Sequence, residues 1–171
     1  MTGWRHLRAG AVILVALAAC DAKAPRTGDA SAAASASPAP SSTYSSLTGH
    51  FDYAVPGAWS TSVRIVEEPG ASAVGTWPLV QHAVHFVYQP SGAGARQETV
   101  LSILAYADTA FDRAARSSKP LAGIEVARAN GRVFTALLSS KNPYAAGAPD
   151  RDRFATLQPA LDAVKGALTP R

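Results

Sequence analysis

Ile124-Glu125-Val126-Ala127-Arg128-Ala129-Asn130-Gly131-Arg132-Val133-Phe134-Thr135-Ala136-Leu137-Leu138 reads as a β-hairpin. Both central residues of a type I′ turn need positive φ, and Asn130-Gly131 is the pair that tolerates it best. A two-residue loop fixes the register. It sets Ala129 opposite Arg132, Arg128 opposite Val133, Val126 opposite Thr135 and Ile124 opposite Leu137. Ile124, Val126, Val133 and Leu137 are then expected on a core face.

Working outward, the preceding sequence is strand-like. Phe51, Tyr53 and Val55 alternate with His50, Asp52 and Ala54 before the turn Pro56-Gly57, a period of two. Val63 and Ile65 mark a second strand, about 60–67, ended by Pro69-Gly70. Residues 81–89 predict a third, with Val84, Phe86 and Tyr88 on one face. Residues 99–107 are apolar on both parities, which suits a central strand covered on both sides. Asp108 or Thr109 can cap a short helix to about Arg116, with Phe111 turned inward.

After the hairpin, Asp150 is the expected N-cap of a final helix. Phe154, Leu157, Leu161, Val164 and Leu168 share one helical stripe. Pro159 interrupts it, and one kinked helix is preferred over two because the stripe keeps its phase. The expected fold is α+β: a mostly antiparallel sheet of about six strands with a C-terminal amphipathic helix packed on it.

The N-terminal part is organised differently. Arg5 and Arg8 precede an uncharged apolar run from Ala9 to Ala19, closed by Leu17-Ala18-Ala19-Cys20. The run is signal-peptide length and shorter than the ~20 apolar residues of a spanning helix. The tetrapeptide resembles the lipobox of bacterial lipoproteins. That resemblance covers residues 1–20. It implies a diacylglyceryl group on the Cys20 thiol, palmitate-type acylation, and removal of residues 1–19. An ordinary secretory signal with a leftover cysteine is the alternative, and a lone cysteine is a liability in an exported protein.

Residues 20–46 then read as the lipidated cysteine and an Ala/Ser/Pro-rich disordered linker. Its reach is on the order of 25–30 Å if flexible. Residues 47–171 are the expected single globular domain. Asp21 resembles an inner-membrane retention signal, which favours that membrane on its periplasmic side. The aromatic strand leading to Val55-Pro56-Gly57-Ala58-Trp59, the hairpin, the Asn142-Pro143 loop and the closing helix are similar to small uncharacterised bacterial lipoprotein domains with a PsbP-like α+β fold.

Charge excludes one class of partner. The formal charge is +4 over 171 residues. Loss of Arg5 and Arg8 leaves 14 basic against 12 acidic side chains, too even for nucleic-acid binding. The only cysteine is committed to lipid, so no disulfide is possible and the domain must stand on its core.

Residues with chemistry are sparse. His82 and His85 would share a face on a helix, but on a strand they point to opposite faces. No second cysteine or HExxH motif accompanies them, so neither metal nor cofactor is expected. Glu67-Glu68 splits across a strand in the same way and reads as a solvated strand end. No G-x-S-x-G elbow occurs, so no catalytic residue is assigned. A triad assembled in space from His50, His82 or His85 stays open. Gly92-Ala93-Gly94 reads as a hairpin tip. Trp59, Trp77 and Tyr144 read as lids on the core rather than as a ligand surface.

The expectation is therefore a lipid-anchored envelope protein, held to the membrane through Cys20, whose non-enzymatic domain binds an envelope protein partner or a small ligand. The rival is a small envelope hydrolase with an unrecognised active site. A His within hydrogen-bond reach of a Ser and a carboxylate in a cleft discriminates the two.

Overall fold

The computed structural model describes residues 40–70, 77–92 and 95–171. The expected signal peptide, Cys20 and the linker up to residue 39 lie outside the described residues. The described chain is α+β, with eight strands in two antiparallel sheets. Strands β3 (Val63–Pro69), β4 (Val80–Tyr88), β5 (Glu98–Ala107), β6 (Ile124–Ala129) and β7 (Arg132–Leu138) form the larger sheet, in the order β3-β4-β5-β7-β6. Strands β1 (Pro40–Ser46), β2 (Phe51–Pro56) and β8 (Leu168–Pro170) form the smaller one, in the order β1-β2-β8. Helix α1 (Asp108–Arg116) follows β5, while α2 (Pro149–Leu157) and α3 (Leu161–Ala167) lead into β8.

One face of the large sheet, here the inner face, packs on the small sheet, α2 and α3. Phe86, Ile103 and Phe134 meet Phe51, Tyr53, Trp59, Phe154 and Val164 there, all at most 2 % exposed. The rings interlock: Phe86 lies 5.0 Å from Tyr53 and 5.2 Å from Trp59. Trp59 Nε1 donates to the Leu157 carbonyl at 3.0 Å, so burial leaves no indole donor unpaired. Burying each such side chain contributes roughly 1.5–3 kcal/mol, which is how a chain without disulfides stays folded.

The hairpin turns where expected. Asn130 has φ 51° and Gly131 φ 74°. Ala129 pairs with Arg132 and Arg128 with Val133, and then the register shifts. Ala127 faces Phe134 and Glu125 faces Thr135, leaving Val126 as the extra residue of a bulge. A bulge re-aims the residues beyond it. Val126 therefore packs on the main core, while Ile124, expected inside, is 58 % exposed. Val133 is buried on the outer face with Val80 and Leu104.

Four further expectations are corrected. The single sheet of about six strands is two sheets, because β1 and β8 add a second layer. Residues 40–46, placed in the linker, form β1 because Tyr44 finds a surface to pack on. Its ring lies 6.5 Å from Phe51 and 6.1 Å from Phe86. The final helix is not one kinked helix. Gln158 sits before Pro159 with ψ 117°, the extended conformation that a following proline imposes. The chain leaves α2 there and re-enters helix at Leu161. Leu168 stays buried, but on a strand. Asp150 is not the N-cap of α2. Ala148 holds that position, followed by Pro149 in the first turn, and Asp150 turns its carboxylate elsewhere.

Candidate functional site

Among the described residues, the outer face of the large sheet is covered over only half its length. There Phe111 of α1, with Leu121 and Ala122, packs over Ala83, Leu104, Tyr106 and Val133. The other half is an open cleft of about 700 Å³. Strand alternation decides what lines it. β3 supplies Arg64, Val66 and Glu68, and β4 supplies His85 and Val87. β5 supplies Ser102 and β7 supplies Leu137. Trp77 walls one side, its ring 5.4 Å from the His85 ring and tilted 34° to it.

Register places Val66, His85, Ser102 and Leu137 in one row across four strands. Ser102 is 2 % exposed and His85 7 %. The Ser102 Oγ lies 2.8 Å from His85 Nδ1. The other ring nitrogen, Nε2, lies 3.6 Å from Glu68 Oε2. With Nδ1 accepting the serine hydroxyl hydrogen, Nε2 carries the imidazole hydrogen and points it at Glu68. The serine, histidine and carboxylate of the discriminating arrangement thus meet at the cleft floor, the His85–Glu68 step being longer than a hydrogen bond.

What the arrangement can do follows from its surroundings. Ser102 pairs with His85 on one side and Leu137 on the other, so its backbone polar groups belong to the ladder. Acyl transfer draws most of its acceleration from donors aimed at a developing oxyanion. The lining side chains able to donate, apart from Ser102 and His85, are Arg64, Trp77, Gln97, Thr99, Ser139 and Ser140. The Gln97 amide is engaged by Gln89 Oε1 at 2.8 Å. The site offers a fixed hydroxyl and imidazole, an aromatic wall and charged rims, which suits recognition of a polar ligand.

The second histidine is on the inner side of the same strand. His82 Nε2 lies 3.4 Å from both Ser46 Oγ and Glu67 Oε2, and Tyr44 donates its hydroxyl to Glu67. Burial lowers the His82 pKa against the pull of Glu67. His82 Nδ1 is buried without a hydrogen-bond partner among the described residues. This cluster fastens β1 to the sheet.

His82 and His85 therefore point to opposite faces, as alternation requires, and cannot share an ion. Among the described residues, no three of His, Cys, Asp and Glu are grouped to hold a metal. Glu67 and Glu68 also split, but they are not a merely solvated strand end: each meets a different histidine. They are diagonal cross-strand neighbours, Glu67 opposite Val84 and Glu68 opposite Ala83. Trp59 and Tyr144 are lids; Tyr144 stacks edge-on against Tyr88 and Phe154. Trp77 packs on the outer-face cluster and also walls the cleft. Of the glycine tip, Gly92 lies near Asp150, and residues 93–94 lie outside the described residues.

Sequence reasoning missed Ser102, Glu68, Arg64 and Trp77 as cleft residues. One signal for Ser102 was present. It is a lone hydroxyl inside Val100-Leu101-Ser102-Ile103-Leu104, and a buried hydroxyl must find a partner. No helix among the described residues is long and apolar enough to cross a membrane. No family model, curated protein or solved structure matches the chain.

Proposed function

We propose that this is a lipid-anchored cell-envelope protein whose domain binds a small polar ligand in the open half of its large sheet. The anchor rests on Leu17-Ala18-Ala19-Cys20 after an apolar run. The binding role rests on one observation: the Ser102–His85 pair is fixed by a 2.8 Å contact at the floor of a cleft of about 700 Å³. A cleft of that volume is in the range of small-molecule sites. Val87→Trp, on the cleft lining, fills the site without touching the inner core. The protein purified from its own envelope is expected to release a stoichiometric small molecule on denaturation, seen by mass spectrometry, and the Val87→Trp protein is not. Equal content, or none in either protein, counts against binding.

The Ser102–His85–Glu68 chain favours a second reading, a serine hydrolase of the envelope. There Ser102 would be the nucleophile, His85 its base and Glu68 the orienting carboxylate. A fluorophosphonate probe separates the two. The binding reading expects no covalent label on Ser102, while labelling that Ser102→Ala and His85→Gln both abolish establishes the hydrolase.

A further inference from the structure

Strand β3 places Arg64 and Glu68 on the outer face, four residues apart. At about 3.3 Å per residue their Cα atoms stand roughly 13 Å apart along the strand. Val66 lies between them, and Val87 and Leu137 extend that apolar floor. The cleft therefore has a cationic end, an anionic end, and between them a floor in which Val66, Val87 and Leu137 flank the polar pair His85 and Ser102.

Among the described residues, neither end is neutralised from within. Arg64 is exposed and forms no ion pair among the described residues; its guanidinium donates to Gln97 Oε1 at 3.4 Å. Glu68 turns one oxygen towards His85, and a carboxylate has about four lone-pair sites, so it can accept further hydrogens. The other carboxylate of the cleft, Glu98, is engaged by Arg96 at 3.0 Å.

A ligand that answers this pattern is a zwitterion with its charges about 10–13 Å apart, the span of three or four extended residues. We propose that the cleft selects an extended peptide of three or four residues with both termini free. Its carboxylate would sit at Arg64, its ammonium at Glu68 and its middle over Val66. A free amino acid carries its charges only a few ångströms apart and reaches one end alone. This inference rests on the binding reading above.

The test titrates the full chain with tetra-alanine and follows the amide resonances of Val66, Val87 and Ser102. Saturable shifts are expected. N-acetylation, C-amidation, Arg64→Gln and Glu68→Gln should each weaken binding by about tenfold, and alanine alone should give no saturable response. Glu68→Gln keeps an acceptor for His85, so its loss reports the charge. A blocked peptide that binds as tightly, or an Arg64→Gln protein that binds unchanged, overturns the inference while the same amides still report an occupied cleft. Tetra-alanine that moves none of these amides also overturns it, and the Val87→Trp comparison then decides separately whether the cleft binds anything.

Discussion

Tyr88 donates its phenolic hydrogen to Asp150 Oδ1 across 2.6 Å, tying the end of β4 to the first turn of α2. The same oxygen accepts from the Ser91 backbone N–H and hydroxyl, both at 3.0 Å. The Tyr88 hydrogen bond, and then the Ser91 backbone, hold this carboxyl below its ordinary range. Burial and the nearby carboxylate push the Tyr88 phenol up to about 12.

The first prediction follows from that pair. A carboxyl with a depressed folded value stabilises the fold above its unfolded value, near ~4, and loses that stabilisation as pH falls through the folded value. Asp150→Asn should lower Tm at pH 7 by on the order of 5 °C. The gap to wild type should close as pH drops below about 4. Thermal melts across pH 3–8 check this, and a gap that is constant with pH removes the charge from the explanation.

His82 gives the second. Its pKa is lowered by burial, with Arg132 and His50 acting in the same direction and Glu67 opposing them. The neutral imidazole is the folded form. Its stabilisation is complete above the unfolded value of about 6.5 and is lost as pH falls through the lower folded value. Tm should therefore fall between pH 7 and 5, and His82→Gln should flatten that slope. An unchanged slope in the variant would assign the acid sensitivity to other groups.

Much of the large sheet was legible because its strands carry period-two or doubly apolar patterns, and because Asn130-Gly131 leaves little choice of turn. The bulge at Val126 was not legible. Ile124 and Val126 look equally apolar in sequence, and only packing against the core selects which one turns in. The small sheet was hidden for two reasons. β1 reads Pro-Ser-Ser-Thr-Tyr-Ser-Ser, polar enough to pass for linker until Tyr44 has a core beside it. β8 is three residues whose Leu168 falls in helical phase with Val164. The cleft was hidden because Ser102, His85 and Glu68 come from three strands and only the register brings them together.

That hidden strand carries the third prediction. A chain beginning at residue 47 loses the Tyr44 contacts with Phe51 and Phe86 and leaves β2 with an open edge. Compared with a chain beginning at residue 40, it should be less stable by on the order of 3 kcal/mol, measured by urea unfolding. Equal stability would show that β1 contributes nothing to the fold.

The fourth concerns the anchor. If Cys20 carries the lipid, Cys20→Ala should leave an unprocessed precursor or a protein released from membranes. Fractionation and intact-mass measurement check both. Two or more acyl chains are needed for stable anchoring, since one gives only marginal binding. Normal processing with retained membrane attachment in the variant would sink the lipoprotein reading.

The last prediction compares two glycines with the same backbone conformation and different surroundings. Gly123 has φ +79° and Gly131 φ +74°. A methyl added at Gly131 meets nothing within 4 Å, so Gly131→Ala should cost only the left-handed strain, about 1–2 kcal/mol. At Gly123 the same methyl falls 2.7 Å from the Ala136 carbonyl oxygen and 2.8 Å from Thr135 Oγ1. Thr135 cannot move aside without breaking its 2.8 Å hydrogen bond to the Ala122 carbonyl, and Ala136 is held in the ladder against Ile124 and Ile103. Gly123→Ala should therefore cost the strain and the clash together, on the order of 3–4 kcal/mol. Urea unfolding of the two variants side by side isolates the difference. Equal losses would mean that the entry to β6 yields to the added methyl, and that this close approach does not fix where the edge strand begins.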